Sequence, residues 1–182
     1  SRTGRPVPTR CASTHREAWW GKIMVWSCFY INGTGPVKHI DGTMTGQVYH
    51  SILVYHLMPW LRNIIAAQPP GHVLVFQDDN DPKHRAGINT DYMKSKLDEF
   101  KGKLELLDWP SQSPDMNPIE HAWSYIKDKI SKRPRPSNLT QLEEILREEW
   151  QKLPLDYIRN LIHSMPRRLQ AVIKAKGGHT KY

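Results

Sequence analysis

The sequence predicts an α/β domain built around a mixed β-sheet. Apolar, β-rich runs at residues 22–30 and 73–77 indicate buried strands, whereas helical periodicity dominates the chain after residue 117. A strand–helix–strand unit lies in the middle of the chain and favours a sheet with both parallel and antiparallel neighbours. The chain has 182 residues, a length that suits one domain with a sizeable hydrophobic core.

The start of the chain combines an unpatterned segment with a predicted β-hairpin. Residues 1–20 carry Gly, Pro, Arg and Thr without a clear period, so we predict an irregular N-terminal arm there. A buried strand is expected at residues 22–30 (KIMVWSCFY). Asn32-Gly33 is a strong hairpin-turn signal and leads into a second expected strand at residues 36–40.

The middle of the chain is predicted to alternate helices with strands. Apolar residues recur at helical spacing from about residue 45 to residue 64, and Pro59 should kink or divide that helix. A short buried strand is expected at residues 73–77 (VLVFQ), followed by an amphipathic helix across residues 88–100. A further strand is expected at residues 104–109.

Helix signals dominate the remainder of the chain. Asn117 and Pro118 form a good helix start, with Asn as the N-cap and Pro at the first helical position. Ser137 can cap a second helix. Two shorter helices are expected around residues 155–165 and 167–176.

Composition and charge narrow the possible functions. The formal net charge is +8 and the sequence pI is about 9.5, which favours an anionic partner such as nucleic acid, although a merely soluble basic surface would look the same. Cys11 and Cys28 show no metal-type spacing and are expected as reduced thiols in an intracellular protein, with one disulfide as the alternative. The sequence contains no apolar stretch of membrane-spanning length and no secretory signal core, so we expect no membrane partner and no secretion.

Two carboxylates lie where a metal ion could be bound. Asp79 follows directly after the strand expected at residues 73–77, and ligands of open α/β sheets bind beyond the carboxyl ends of strands. Glu120 lies in the first turn of the helix that starts at Pro118. Carboxylates that hold a divalent metal ion are common in phosphodiester cleavage. Each acid has a structural alternative, since Asp and Asn cluster in turns and Asn117 with Glu120 fits a capping box.

Basic residues near these acids are candidate nucleic-acid contacts. Lys83 and His84 follow the first acid, and His84 could approach phosphate or metal, although a single histidine is more often an ordinary surface or packing residue. The helix after Glu120 continues into a basic stretch that would suit a phosphate track. Its candidate residues are Lys127, Lys132, Arg133 and Arg135. A solvated helix face is the alternative for all four.

Two patterned segments surround the candidate acids, residues 79–84 (DNDPKH) and 109–121 (WPSQSPDMNPIEH). They resemble the catalytic-domain signature of the mariner-superfamily transposases, in particular their Tc-type branch. Residues 24–29 (MVWSCF) are similar to the family's MVWGCF strand, with Ser27 in place of the usual Gly, and residues 40–44 (IDGTM) resemble its next turn. The C-terminus also resembles the family, so the similarity spans nearly the whole chain.

This resemblance implies a ribonuclease H-like fold whose mixed sheet is flanked by helices. The family uses an Asp-Asp-Glu triad that binds two Mg²⁺ (or Mn²⁺) ions, and the resemblance assigns Asp79 and Glu120 as the second and third acids, both catalytic and metal-binding. It implies cut-and-paste transposition in the nucleus, in which transposon ends are hydrolysed and the freed 3′-hydroxyl attacks target DNA at a TA step. We expect a partial core at residues 21–136, followed by C-terminal helices and a basic tail at residues 137–182.

The chain departs from the family at three points. The family's first Asp and its central strand lie upstream of the MVWGCF-like segment, so we expect a fold truncated at its N-terminal strands. The resulting gap could be filled by the arm at residues 1–20, by a second copy in a homodimer or by a larger host complex. Forty residues separate Asp79 from Glu120, a longer spacing than the Tc-type pattern commonly has. Asp78 adds a like charge beside Asp79, which could disturb the geometry of a bound metal.

Two functions stay open from the sequence. In the first, the chain is the C-terminal part of a transposase catalytic domain and a longer product supplies the missing Asp. The 182 residues alone should then be inactive, because the metals lose a bridging ligand. In the second, the chain is a decayed or domesticated remnant that cuts nothing and either binds nucleic acid or serves as a structural subunit of a larger assembly.

Overall fold

The computed structural model describes residues 7–18, 23–78, 81–107 and 117–174. Its strands are β1 (Val7–Ala18), β2 (Ile23–Tyr30), β3 (Gly33–Ile40), β4 (His72–Gln77) and β5 (Leu104–Leu106). These strands form one sheet in the order β3-β2-β1-β4-β5. β2 runs antiparallel to β1 and β3, whereas β4 runs parallel to β1 and β5. The predicted mixed sheet is therefore confirmed.

Helices cover both faces of this sheet. They are α1 (Gly46–Ile52), α2 (Met58–Ala67), α3 (Gly87–Glu99), α4 (Pro118–Ser131), α5 (Leu139–Gln151) and α6 (Leu155–Lys174). One buried cluster, the α1–α3 core, joins the sheet to α1, α2 and α3, and a second, the α4–α6 core, joins it to α4, α5 and α6. Successive strand residues point to opposite faces, so Cys11 enters the first core and Ala12 the second. Among the helices that the structure describes, none is long and apolar enough to span a bilayer.

The prediction of an irregular arm at residues 1–20 is wrong for the part that forms β1. β1 pairs in parallel with β4 as far as Ala12, opposite Gln77, and antiparallel with β2 as far as Ala18, opposite Ile23. Without β1, both β2 and β4 would expose a row of unpaired N–H and C=O groups, and pairing these groups outweighs the weak local pattern of the segment. Of the three candidates for filling the expected gap, the arm is the one that fills it, and β1 becomes the central strand.

The two cysteines are free thiols buried in the α1–α3 core, as predicted for reduced residues. Burial raises the pKa of the Cys28 thiol well above its ordinary value, and a hydrogen bond with the Cys11 side chain raises it further. A buried thiol that stays protonated is chemically inert, because the thiolate is the reactive form.

Residues 46–67 form a continuous helical segment that changes geometry once. Thr45 caps α1 by accepting a hydrogen bond from the amide of Val48 at 3.2 Å. A π-helical turn, Leu53–Leu57, connects α1 to α2, and Pro59 lies in the first turn of α2. Proline has no amide hydrogen to give to the preceding turn, and the wider π turn accommodates that loss. The sequence predicts a kink or a division at Pro59, whereas the chain stays helical there and changes geometry at the π turn just before it.

The last two helices differ from the prediction, α5 in its capping residue and α6 in its length. Asn138, rather than Ser137, caps α5, because its side chain accepts a hydrogen bond from the amide of Gln141 at 2.8 Å. The sequence predicts two short helices where α6 is a single helix with Pro166 inside it. Burial of Met165 on the inner face favours continuation through the proline, whose missing hydrogen bond alone would favour a break.

An aromatic stack fastens α4 and α5 to the sheet. The rings of Trp123 in α4 and Trp150 in α5 stack with centroids 4.6 Å apart, and the ring of Phe29 in β2 lies 6.4 Å from that of Trp150. All three side chains belong to the α4–α6 core. The division of the chain between residues 136 and 137 stays a prediction, and this core extends across it.

Candidate active site

The end of β4 forms a step in the sheet. β4 pairs with β1 as far as Gln77, opposite Ala12, and β1 then continues along β2. α4 packs against β1, and its buried residues Ile119 and Ala122 belong to the same core as Ala12. The β1 residue that pairs with the end of β4 therefore shares a core with the first turns of α4.

Local sequence chemistry sets the start of α4. The buried Asn117 accepts a hydrogen bond from the amide of Ile119 at 3.3 Å, and Pro118 is the first helical residue. Glu120 lies in the first turn and is partly buried. The amides at a helix start carry partial positive charge, which favours a carboxylate at this position. The predicted helix start is confirmed.

Asp79 and Asn80 lie outside the described residues, so the predicted meeting of Asp79 with Glu120 stays a prediction. Among the residues that are described, no three His, Cys, Asp or Glu side chains come together as possible metal ligands. The residues on either side of this short segment, Asp78 and Asp81, are both described and both accept hydrogen bonds.

The side chain of Asp78 points to the α1–α3 side of the sheet. The hydroxyl of Tyr49 donates a hydrogen bond to its Oδ2 at 2.7 Å, and Nδ1 of His84 lies 2.8 Å from its Oδ1. The rings of Tyr49 and His84 stack with centroids 3.6 Å apart and 14° between their planes. These three residues line a cavity of about 570 Å³ together with Phe76 of β4. Asp78 therefore shares a face with Phe76, two positions earlier on the strand.

The candidate nucleic-acid residues occupy different environments. Those exposed or partly exposed are Lys83, Lys127, Lys132, Arg133 and Arg135. Two of them already pair with carboxylates, Lys132 with Asp128 at 2.7 Å and Arg133 with Glu148 at 3.0 Å. Such surface pairs contribute little free energy, so phosphate could replace them at small cost. His84 is buried, at 6% exposure. A role of all six in binding nucleic acid stays a prediction.

A buried arginine of α6 fastens the start of α4. Arg168 is only 5% exposed, and its Nη1 donates a hydrogen bond to Nε2 of His121 at 2.5 Å. Its Nε donates to Oγ of Ser164 at 2.9 Å, and Tyr157 donates to the backbone carbonyl of His121 at 3.0 Å. Since a guanidinium group can only donate, Nε2 of His121 accepts and carries no proton. α6 thus holds in place the residue that follows Glu120.

Sequence reasoning missed three residues of this region. It assigns Tyr49 to a core stripe and Arg168 to a basic C-terminus, and it gives Asn89 no role. Asn89 is fully buried and donates hydrogen bonds to the carbonyls of Gly46 at 2.9 Å and Lys83 at 3.1 Å. A signal for Asn89 existed, because it lies four residues before Met93 on the apolar stripe of its helix, where a polar side chain needs partners. No comparable signal marks Tyr49 or Arg168.

A known protein family and several known proteins match this chain in sequence. Residues 34–143 match the family described as DDE superfamily endonuclease. The chain is 40% identical over 182 residues both to the Tcb1 transposase of Caenorhabditis briggsae and to the Tc1 transposase of Caenorhabditis elegans. Each alignment covers 98% of this chain and 62% of the relative, so the chain spans less than two thirds of the length of these relatives.

The fold is also that of a solved transposase domain. The structure matches the crystal structure of the catalytic domain of Mos1 mariner transposase with a TM-score of 0.79 and 17% identity, across 94% of this chain and 84% of that one. This agreement confirms the ribonuclease H-like architecture that the sequence resemblance implies. The family match extends over more than half of the chain, in a range that includes both Asp79 and Glu120. The chain therefore belongs to the DDE superfamily endonucleases.

Proposed function

We propose that this chain is the C-terminal part of the catalytic domain of a cut-and-paste DNA transposase, whose reaction is metal-dependent cleavage and transfer of DNA strands. One observation carries the proposal: Ala12, the β1 partner of Gln77 at the end of β4, lies in the same buried core as Ile119, which precedes Glu120 in the first turn of α4. Solved structures of the related Mos1 transposase include a strand transfer complex and paired-end complexes with Mn or Mg. They support DNA and a divalent metal ion as ligands of this chain as well.

Asp79 and Glu120 are the residues that would hold the metal ion. Phe76 and Asp78 face the α1–α3 side, and we propose that Asp79 faces the α4 side, as the alternation of a strand predicts. Carboxylate oxygens suit Mg²⁺ and Mn²⁺, and Mg²⁺ is commonly held by one or two carboxylates together with substrate phosphates. A metal ion bound there would supply Lewis-acid activation of the phosphodiester.

The chain's own residues would keep Glu120 in place before any metal arrives. The amides at the start of α4 favour its ionised form. Arg168 and Tyr157 hold the next residue, His121, from α6. Such support matters because a metal ligand that must be ordered during binding loses affinity to that ordering.

The resemblance assigns two acids of this chain, Asp79 and Glu120, to a site that uses three acids in the family. The central strand β1 carries one acid, Glu17, which lies five residues beyond Ala12, the partner of Gln77. We therefore propose that these 182 residues alone do not cut DNA and that full activity needs a third acid from elsewhere.

Metal-dependent nicking of supercoiled DNA, combined with Mn²⁺ binding, tests this function. The chain alone should leave the DNA intact with Mg²⁺ or Mn²⁺. It should bind Mn²⁺, and Asp79→Asn and Glu120→Gln should each weaken that binding at least ~tenfold, because each removes a charged ligand. Cleavage that both substitutions abolish would contradict the proposed inactivity while supporting the site. Mn²⁺ binding that neither substitution changes would refute the site itself.

A non-catalytic subunit derived from a transposase is the second candidate function. The net charge of +8 favours its nucleic-acid-binding form. Phosphate contacts weaken steeply as salt rises, so DNA affinity with a steep salt dependence would support a nucleic-acid-binding role. Absence of DNA binding would favour a structural role, in a homodimer or a larger host complex. For both functions we propose a nuclear location, where the DNA is.

A further inference from the structure

We propose that Tyr49, His84 and Asn89 are positioning residues that hold the backbone around Asp79 in the geometry that metal binding requires. Together with Asp78 they form what we call the strand-end clamp. The inference rests on the proposed function, since it assigns the clamp the task of presenting Asp79. It adds to that function three residues that act on Asp79 through the chain on either side of it.

The first part of the clamp holds Asp78 from two directions. Tyr49 of α1 donates to Oδ2 at 2.7 Å, and Nδ1 of His84 lies 2.8 Å from Oδ1. Hydrogen bonds to an ionised carboxylate are among the stronger ones in proteins. The stacked rings of Tyr49 and His84, with centroids 3.6 Å apart, fix the two donors relative to each other. The side chain of His84 is almost fully buried, so little water competes for these bonds.

The second part of the clamp holds the loop at residues 81–86. Oδ1 of Asp81 accepts a hydrogen bond from the amide of Lys83 at 2.8 Å, and the amide of His84 donates to the carbonyl of Asp81 at 2.9 Å. Asn89 then ties the carbonyl of Lys83, at 3.1 Å, to the carbonyl of Gly46 at the start of α1, at 2.9 Å.

Close packing of residues 81–86 on α1 also holds this loop against the helix. A methyl group added at Gly46 would lie 2.8 Å from Cβ of Ala86, so the glycine permits the approach. Nδ1 of His50 in α1 lies 3.2 Å from Oδ1 of Asn89. This contact fixes the orientation of the Asn89 side chain. The loop, α1 and α3 therefore form one connected unit.

Positions 79 and 80 are bracketed by these anchors. Asp78 on one side and Asp81 on the other are both hydrogen-bonded, and only two residues lie between them. The expected effect of two anchors so close together is that less ordering of the chain has to occur when a metal ion binds. Asp78 thus serves as an anchor on the face opposite the metal site, and its charge is engaged by Tyr49 and His84.

Mn²⁺ titration of the full chain, followed by the electron paramagnetic resonance of free Mn²⁺, tests the inference. Tyr49→Phe keeps the stacked ring and removes one donor, and we expect it to weaken Mn²⁺ binding about five- to tenfold. His84→Ala should have an effect at least as large. His84→Asn should recover part of the loss, because its amide nitrogen can donate from near the position of Nδ1. Tyr30→Phe is the matched control, since that ring packs edge-on against Trp60 outside the clamp.

Urea unfolding of the same variants separates positioning from stability. A merely structural role would lower the free energy of unfolding and leave the dissociation constant of the folded protein for Mn²⁺ unchanged. Unchanged Mn²⁺ binding in both Tyr49→Phe and His84→Ala, beside a loss in Asp79→Asn, would overturn the inference and leave the proposed function standing. Absence of Mn²⁺ binding that depends on Asp79 would overturn both.

Discussion

Replacing Trp150 with alanine should remove much of the support of α4, the helix that carries Glu120. Trp150 is fully buried and stacks on Trp123 at 4.6 Å. Truncating a buried tryptophan to alanine commonly destabilises a protein by about 3–5 kcal/mol, because transfer free energy is lost and a cavity is left. In this protein the loss would fall on the contact between α4 and α5.

Trp150→Phe should be much milder. Nε1 of Trp150 is buried without a hydrogen-bond partner among the residues that the structure describes. A buried donor without a partner costs about 1–3 kcal/mol, and phenylalanine removes that donor while keeping most ring contacts. We expect a net loss of about 1–2 kcal/mol, the usual range for a change of shape in a packed core.

Urea unfolding, followed by far-UV circular dichroism, measures the loss in free energy of unfolding for Trp150→Ala and for Trp150→Phe. In thermal unfolding the alanine variant should melt about 6–20 °C lower, since 1 kcal/mol corresponds to about 2–4 °C at this chain length. Leu139→Ala is the control, because Leu139 lies on the same helix at 55% exposure and should change stability by no more than about 0.5 kcal/mol. A loss below about 1 kcal/mol for Trp150→Ala, or equal losses for Phe and Ala, would refute the reasoning.

Two further predictions concern single positions. Gly35→Ala should destabilise the protein by about 1–3 kcal/mol in urea unfolding, because the added methyl would lie 2.9 Å from the carbonyl oxygen of Cys28. At Gly87 an added methyl group meets nothing within 4 Å, so Gly87→Ala should instead raise the free energy of unfolding by about 0.4–1 kcal/mol. A stabilising effect of Gly35→Ala as well would contradict the close packing at Gly35. The pKa of Glu148 is lowered by the hydrogen bond from Arg133, so this pair stabilises the fold above the ordinary carboxyl pKa and loses its effect as pH falls through the lowered value. Glu148→Gln should therefore melt slightly below wild type at neutral pH and together with it in acid, and a difference that persists in acid would exclude the ion pair as its cause.

Elements whose cause lies within a few residues could be predicted from the sequence. The start of α4 follows from Asn117 before Pro118, and the β2–β3 hairpin follows from Asn32-Gly33. In both, a side chain or a turn conformation determines the backbone locally. The location of Glu120 in the first turn of a helix could therefore be predicted from the sequence. The surroundings of Asp79 stay a prediction.

The central strand could not be predicted, because its cause is not local. β1 has no hydrophobic period, and it is a strand since β2 and β4 each offer unpaired backbone groups to the space between them. α6 is a related case, in which burial of Met165 outweighs the local effect of Pro166. The strand-end clamp is the third case, because Tyr49 and His84 meet only once α1 has packed beside the end of β4.

The π-helical turn between α1 and α2 keeps the buried side chains of this stretch on one side of the helix. Buried side chains recur at intervals of four residues along it, at Tyr49, Leu53, Leu57, Leu61 and Ile65. In a regular α-helix that interval drifts by about 40° per step, or about 160° over the whole series, which would turn the last residue toward solvent. The wider turn rotates less per residue and takes back part of the drift. Deleting one residue from the π turn would leave an ordinary α-helical turn with nearly the same total rotation, whereas a deletion inside α2 would rotate every later residue by about 100°. Evolution can therefore shorten this segment at the π turn more readily than within α2.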